Sequence, residues 1–318
     1  MRGGRLLGQG SYGCVFSPGF KCTARGSSRD TLLTHKKKTV SKIQVYNKVA
    51  KNEIAIGKKL KEIPNASACF QVLQSVCPVS VKQLKDEDVE ACELESFNQS
   101  SLVMLTFPFI EGEHPVKWLR KKNQPLVHLE KLMSHLCGCL EKLAEHSILH
   151  HDLKNDNILV KLSNKPILLD FGMSVDMSSR SYDAFFYAPE YEFLVPETQF
   201  INEDVTDKKI DEVVYYTLRP LSLFLEKEFL EKYRKALTSS LNQLKGLSKE
   251  EKRKKIMKQW DTWDVYAISY FLVECLVLLR AEGHVEETKH YTKLLEWGLQ
   301  GIHPIHRVNA KEWLALKK

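Results

Sequence analysis

The chain of 318 residues has no CxxC pair with a matching partner pair, no internal repeat, no low-complexity tract and no apolar run of bilayer length. Each absence excludes something. The eight cysteines are scattered, which disfavours a zinc site and fits isolated buried thiols in a reducing compartment. The most apolar run, Val265 to Leu279, contains Ser269 and Glu274, is followed by Arg280, and falls short of the ~20 residues a membrane span needs. It reads as a buried helix. Met1 to Arg5 is glycine-rich and basic with no apolar stretch after it, so no secretory leader is expected. A soluble, intracellular protein follows, most simply cytoplasmic. Nor is charge strongly one-sided: the net +7 is mild and is met by a solvated lysine-rich surface, with no specific nucleic-acid partner required. With 43% hydrophobic and 27% charged residues the chain is neither disordered nor collagen-like. It is long enough for two lobes with buried cores.

Residues 1–107 carry β-type patterning around one helix. Leu6 to Phe16 mixes β-formers with Gly8, Gly10 and Gly13, which suits a hairpin, and Thr39 to Val45 reads as a strand. Ala50 to Ile63 has helical spacing and stops before Pro64. Ser101 to Phe109 is a strongly apolar strand. From Pro125 the pattern turns helical, with two strand-length runs at Ile158 to Leu162 and Ile167 to Leu169. Residues 193–258 form a charged helical segment. Leu225, Phe229, Tyr233, Leu237 and Leu241 make one stripe, Gly246 closes it, and Ser248 with Glu251 opens the next helix as a capping box.

Three motifs carry chemistry. Leu7-Gly8-Gln9-Gly10-Ser11-Tyr12-Gly13-Cys14-Val15 has the glycines that let a backbone approach phosphate oxygens. No helix pattern follows it, so a hairpin is favoured over a dinucleotide-binding turn. Taken alone, it is also compatible with an ordinary glycine-rich turn. In Val40-Ser41-Lys42-Ile43 the lysine, flanked by apolar residues, can project into a cleft and hold phosphates, with Glu53 of the following helix as its partner. The decisive ensemble is His150-His151-Asp152-Leu153-Lys154-Asn155-Asp156-Asn157 followed by Asp170-Phe171-Gly172. A carboxylate (Asp152) can accept a hydroxyl proton, an ammonium (Lys154) can offset phosphate charge, and Asn157 and Asp170 offer hard oxygens suited to Mg²⁺.

In this order the motifs resemble the eukaryotic protein kinase superfamily over nearly the whole chain. The resemblance implies an α+β, bilobal fold: a β-rich lobe with one main helix over 1–107, and a mostly helical lobe over 108–318 with a helical insert at about 193–258. It implies catalytic roles for Asp152, Lys154, Lys42 and Glu53, and Mg²⁺ ligands at Asn157 and Asp170. ATP contacts are expected at Leu7, Gly8, Gln9, Gly10, Ser11, Tyr12, Gly13, Cys14, Val15, Val40, Lys42 and Leu159. They extend to the hinge, at the Phe107 carbonyl and the Phe109 N–H, with Thr106 as gatekeeper. Asp264 matches the aspartate that anchors the catalytic loop. Arg307 matches the arginine expected to pair with Glu190 of Ala188-Pro189-Glu190. Lys154 points to the serine/threonine class. The glycine loop close to Met1, the Val-Ser-Lys-Ile strand and the long segment before Asp264 are similar to protein kinases of large DNA viruses.

Three departures stand out. His151 occupies the place of an arginine that reads loop phosphates, which implies a constitutively competent site. No threonine precedes Ala188, and Asp183 lies near that place. Gly57, one turn after Glu53, lacks the bulky residue expected there, which implies a loosely held helix. The expected activity is ATP- and Mg²⁺-dependent transfer to protein serine or threonine, with the insert as a docking surface for a partner or as filler structure. The alternative is a pseudokinase scaffold that binds partners through the insert. The complete set Lys42, Glu53, Asp152, Asn157 and Asp170 counts against it.

Overall fold

The computed structural model describes residues 5–10, 13–20, 22, 38–79, 92, 101–179, 182–223 and 225–316. It divides into two compact units, Met1–Gly112 with Ile167–Met173, and Glu113–Pro166 with Ser174–Lys318. Ser11 and Tyr12 of the glycine motif lie outside the described residues.

The first unit is a five-stranded antiparallel sheet: β1 (Arg5–Gly10), β2 (Gly13–Ser17), β3 (Thr39–Val45), β4 (Ser75–Val79) and β5 (Leu102–Pro108), in the order β1-β2-β3-β5-β4. At Gly13, with φ +156°, a Cβ would sit 2.3 Å from the Ile43 carbonyl oxygen, so only glycine fits where β2 leaves the turn. Helix α1 (Lys48–Glu62) is started by the Asn47 side chain, which accepts from the Ala50 N–H at 3.1 Å.

Strand periodicity sorts the two faces of the sheet. Leu102 and Met104 pack with Cys14, Phe16, Phe20, Ile43 and Cys77, whereas Val103 and Leu105 pack with Ala50 of α1 and with Leu73. Gly57 does not leave α1 loose. Leu73 fills its place so closely that a Cβ there would lie 2.9 Å from the Leu73 side chain. The segment Ile167–Met173 joins this unit through backbone bonds from Gln71 N–H to the Leu168 carbonyl (2.9 Å) and from Leu168 N–H to the Cys69 carbonyl (2.8 Å). The edge of Phe171 rests on Phe70, with ring centroids 5.9 Å apart.

The expectation of isolated thiols is corrected here. Cys14 is bridged to Cys92 and Cys22 to Cys77, across sequence separations of 78 and 55. Scattered spacing hid these pairs because the sheet, and not the sequence, brings them together.

The second unit is mostly helical, as expected of an α+β chain with a β-rich N-terminal region. Helices α2 (Pro115–Leu119) and α3 (Pro125–Glu145) precede the short strands β6 (Ile148–Leu149), β7 (Ile158–Lys161) and β8 (Val175–Asp176), and β8 pairs antiparallel with β6. The segment 193–258 supplies α4 (Asp207–Leu221), α5 (Lys227–Asn242) and α6 (Lys249–Met257). In α5 the expected stripe buries Tyr233, Leu237 and Leu241, with Leu225 and Phe229 packed beside them. The capping box of Ser248 and Glu251 starts α6. The insert is tied into the unit's core, since Tyr233 donates to the Ile302 carbonyl at 2.7 Å, and it is closed on itself by Arg253, which donates to the Ile201 carbonyl at 3.2 Å.

Helix α7 (Trp263–Ala281) is the apolar run noted in the sequence. By length and composition it is apolar enough to cross a membrane, but 83% of its most apolar window is buried inside the protein, as in a core helix. Helices α8 (Lys289–Gly301) and α9 (Ala310–Ala315) complete the unit.

Each bridge in the first unit closes a long loop, for which loop entropy predicts about 4 kcal/mol of stabilisation. Unfolding by denaturant with and without reductant should therefore differ by several kcal/mol. The Cys22→Ala/Cys77→Ala double variant should reproduce part of that loss, and an unchanged midpoint on reduction would contradict it.

Candidate active site

In the first unit the site is built on β3. Lys42 is buried in the strand, and its ammonium reaches both carboxylate oxygens of Glu53 on α1 at 3.1 Å and Oδ1 of Asp170 at 2.8 Å. Burial alone would lower the lysine's pKa. The two carboxylates outweigh that effect and lift it above the ordinary value, so the group stays charged. Burial pushes the Glu53 carboxyl up, opposed by Lys42, and Gln44 Nε2 donates to Glu53 at 2.8 Å. Asp170 adopts a left-handed φ of +53°, and its Oδ1 also accepts from the Gly172 N–H at 3.2 Å. Asn52 of α1 donates to the Gly172 carbonyl at 3.4 Å. The turn Asp170-Phe171-Gly172 is thus held by α1 on one side and by Phe70 on the other.

Register decides which other predicted residues share the face of Lys42. Val15 and Leu105 pair with Lys42, and Phe107 pairs with Val40, so Val15, Val40, Lys42 and Phe107 lie on one face of the sheet. Thr106 pairs with Ser41, on the opposite face. The gatekeeper expectation at Thr106 is corrected by that parity: Leu105 stands directly across from Lys42, and Phe107, not Thr106, shares its face. The hinge expectation at Phe109 is also corrected: its N–H donates to the Lys38 carbonyl at 2.9 Å, because β3 and β5 continue to pair that far. Cys14 is fully buried on the far face in its disulfide, which removes it from the expected nucleotide contacts. Leu7, Gly8 and Gln9 are exposed on β1.

In the second unit the catalytic-loop sequence closes on itself. Asn157 Nδ2 donates to the Asp152 backbone carbonyl at 2.7 Å and to Asp152 Oδ2 at 2.8 Å. This leaves the amide oxygen Oδ1 of Asn157 as a hard donor. Lys154 Nζ reaches Asp152 Oδ1 at 3.1 Å. The loop is gripped from both ends. Asp264, buried on α7, accepts from the backbone N–H of His150 at 2.7 Å and of His151 at 3.0 Å. His114 Nδ1 lies 3.2 Å from the Asn155 carbonyl and 3.1 Å from that of Ile158, so this nitrogen carries the proton. Leu159 lies half-buried on β7, between buried Ile158 and Val160.

His151 is buried in a left-handed conformation, φ +65°, with its ring edge-on to Phe185. Burial drops its pKa to about 4, with Asp152 opposing the shift and His150 adding to it. A neutral imidazole packed on an aromatic ring cannot do the work of a phosphate-reading arginine.

The pairing of Arg307 with Glu190 is overturned. Glu190 is exposed in a turn, and Arg307 pairs instead with Glu197, donating also to Thr262 Oγ1 and to Gln259 Oε1, both at 3.2 Å. The chain carries two X-Pro-Glu triplets, Ala188-Pro189-Glu190 and Val195-Pro196-Glu197. Only the second is bedded among buried Leu194, Val195, Phe200 and Ile201, where a carboxylate can be held against a buried guanidinium. That apolar context was the signal in the sequence. Sequence reasoning also missed Gln199, which clamps Ala188 through its N–H (2.7 Å) and its carbonyl (3.1 Å). Tyr191 was missed as well; its hydroxyl sits on Asp152 Oδ1.

Each unit carries donors of the types that bind phosphates and a divalent cation. In the first unit a buried ammonium is paired with carboxylates, one of them Asp170, and in the second Asn157 is oriented by its bonds to Asp152.

Comparison with known proteins points the same way. The protein kinase domain family matches residues 1–314. A probable serine/threonine-protein kinase of fowlpox virus (strain NVSL) is 25% identical over 172 residues, 53% of this chain and 52% of that protein. A probable serine/threonine-protein kinase of Dictyostelium discoideum is 33% identical over 81 residues, 25% of this chain and 18% of that protein. The matched regions thus span about half of the first relative and under a fifth of the second.

Two outcomes follow. Glu197→Ala should cost about 3–5 kcal/mol, because it strands a buried guanidinium, whereas Glu190→Ala should stay within about 0.5 kcal/mol, both read from denaturant unfolding. For His151, the unfolded imidazole titrates near 6.5 and the folded one at about 4. The unfolded state binds more protons between those values, so this stability is full above about pH 6.5 and is lost as pH falls towards 4. The loss amounts to about 3 kcal/mol. His151→Asn, which tolerates the same φ without titrating, should flatten the stability–pH curve over that window.

Proposed function

Because the chain belongs to the protein kinase family, we propose that it transfers the γ-phosphoryl group of ATP, with Mg²⁺, to serine or threonine hydroxyls of a protein substrate. The observation that carries this reading is the bonding of Asp152. Asn157 fixes one of its carboxylate oxygens at 2.8 Å and Lys154 the other at 3.1 Å, so a hydroxyl-orienting carboxylate is held ready. In this reading residues 1–107 form the nucleotide lobe and 108–318 the substrate lobe.

Lys42, kept charged and aimed by Glu53, holds the α- and β-phosphates. Val15, Val40 and Phe107, together with Leu159, supply the apolar surface for the base. Asp170 and Asn157 would hold Mg²⁺, whose charge would offset that of the phosphate oxygens. Asp152 orients the acceptor hydroxyl and takes its proton as the new P–O bond forms and the bond to the β-phosphate oxygen breaks. Lys154 offsets charge at the transferred group, and its presence two residues after Asp152 supports the serine/threonine class. Most of the barrier reduction comes from position and electrostatics. Neutral His151 supports activity that needs no phosphate on the activation loop. The insert, bound into the core by Tyr233, acts first as structure, and the outer faces of α5 and α6 are where a docking partner would add. The disulfides of the first unit favour an oxidising setting over the reducing cytoplasm first expected.

Transfer from γ-labelled ATP to mixed histones tests the proposal. The wild type should label serine or threonine, and Asp152→Asn should reduce transfer by at least about a hundredfold while leaving the protein folded. A folded wild type that binds ATP and Mg²⁺ but transfers nothing would replace this reading with that of a scaffold.

A further inference from the structure

From Tyr182 to Glu197 the chain contains no serine or threonine, and Thr198 is turned inward, donating to the Val195 carbonyl at 2.6 Å. A side-chain hydroxyl nevertheless reaches the catalytic-loop carboxylate, and it is a phenol. The Tyr191 hydroxyl lies on Asp152 Oδ1. Lys154 Nζ lies 3.1 Å from that same Oδ1 and 3.1 Å from the Tyr191 oxygen. The donor arithmetic is definite. Lys154 can only donate, so the phenol oxygen accepts from it and spends its single proton on Asp152. Two of the three ammonium protons are used in this ring and one is left for a phosphate oxygen. Both acceptor positions of Oδ1 are filled, while Oδ2, holding Asn157, keeps one open.

The phenol is held by a chain of contacts that begins in the core. Arg307 fixes Glu197, and Gln199, two residues on, clamps both backbone groups of Ala188. The Tyr191 N–H then donates to the Ala188 carbonyl at 3.0 Å. Its ring packs on Phe193 (5.9 Å), which packs on Tyr270 of α7 (5.6 Å).

We infer that Tyr191 is a positioning residue for phosphoryl transfer: with Lys154 it saturates Asp152 Oδ1 and so presents Oδ2 to the incoming hydroxyl. It brings to Asp152, by phenol, a hydroxyl that no serine or threonine between Tyr182 and Glu197 is present to bring. The inference rests on the phosphoryl-transfer reading, and the test separates the two.

The full chain is assayed with γ-labelled ATP and mixed histones as wild type, Asp152→Asn, Tyr191→Phe, Lys154→Ala and the Tyr191→Phe/Lys154→Ala double variant. Tyr191→Phe keeps the ring packing and removes only the hydroxyl. It should lower kcat about tenfold to a hundredfold, with KM for ATP within about twofold and the unfolding midpoint unchanged. In the Lys154→Ala background the same change should cost about twofold or less, because the two groups act as one unit. Wild-type activity that is lost in Asp152→Asn but unchanged in Tyr191→Phe would overturn the inference and leave the kinase reading standing. Label found on Tyr191 itself would also overturn it, making the residue an acceptor. A folded wild type with no transfer would overturn both.

Discussion

The bond on which the candidate site depends is the one between Asp264 and the backbone of the catalytic loop. A carboxylate buried in α7 is unfavourable unless its oxygens are satisfied. Here each oxygen takes one N–H, from His150 and His151. Burial pushes the Asp264 carboxyl up, while the His150 imidazole and these two N–H groups oppose it. The two bonds hold the chain where His151 takes a left-handed φ, directly before Asp152, whose carboxylate meets Asn157 and Lys154. An apolar helix of membrane-like composition is therefore the platform for the most polar group of the site. The same helix receives Phe193 on Tyr270, so loop and activation segment are referred to one rigid element.

Much of this was legible in the sequence, and the legible parts share a physical cause. Where one short segment carries its own periodicity or cap, as in β3, α1, the α5 stripe or the Ser248 box, local reading placed the element to within a residue or two. Side chains whose partners lie within the same short motif, such as Asp152, Lys154 and Asn157, were also found. Reading failed where the answer depends on register or on distant packing. Thr106 and Phe107 are adjacent in sequence, and only the pairing of β5 with β3 tells which faces Lys42. The cysteine bridges span separations of 78 and 55 and need the whole sheet to exist before they can be seen.

The two X-Pro-Glu triplets show the same limit more sharply. Ala188-Pro189-Glu190 has the familiar composition, but composition does not bury a carboxylate. Val195-Pro196-Glu197 stands in an apolar run, and a buried arginine requires a carboxylate that the fold can enclose. The burial environment therefore outranks the motif. Shifting the anchor by seven residues lengthens the segment between Asp170 and the ion pair, and it leaves Ala188 and Tyr191 free to be used inside the segment instead of at its end.

That shift connects the departures noted in the sequence. Closed at Glu197, the segment is held by Arg307, by the Gln199 clamp on Ala188 and by the edge-on packing of Phe193, all of them contacts within the folded chain. His151 can then be a neutral, buried imidazole, because the ordering that a charged residue would supply elsewhere is already built into the segment. The arginine absent at position 151 and the threonine absent between Tyr182 and Glu197 accompany a glutamate anchor displaced to Glu197. The activation segment is held by packing, and what it delivers to Asp152 is a phenol.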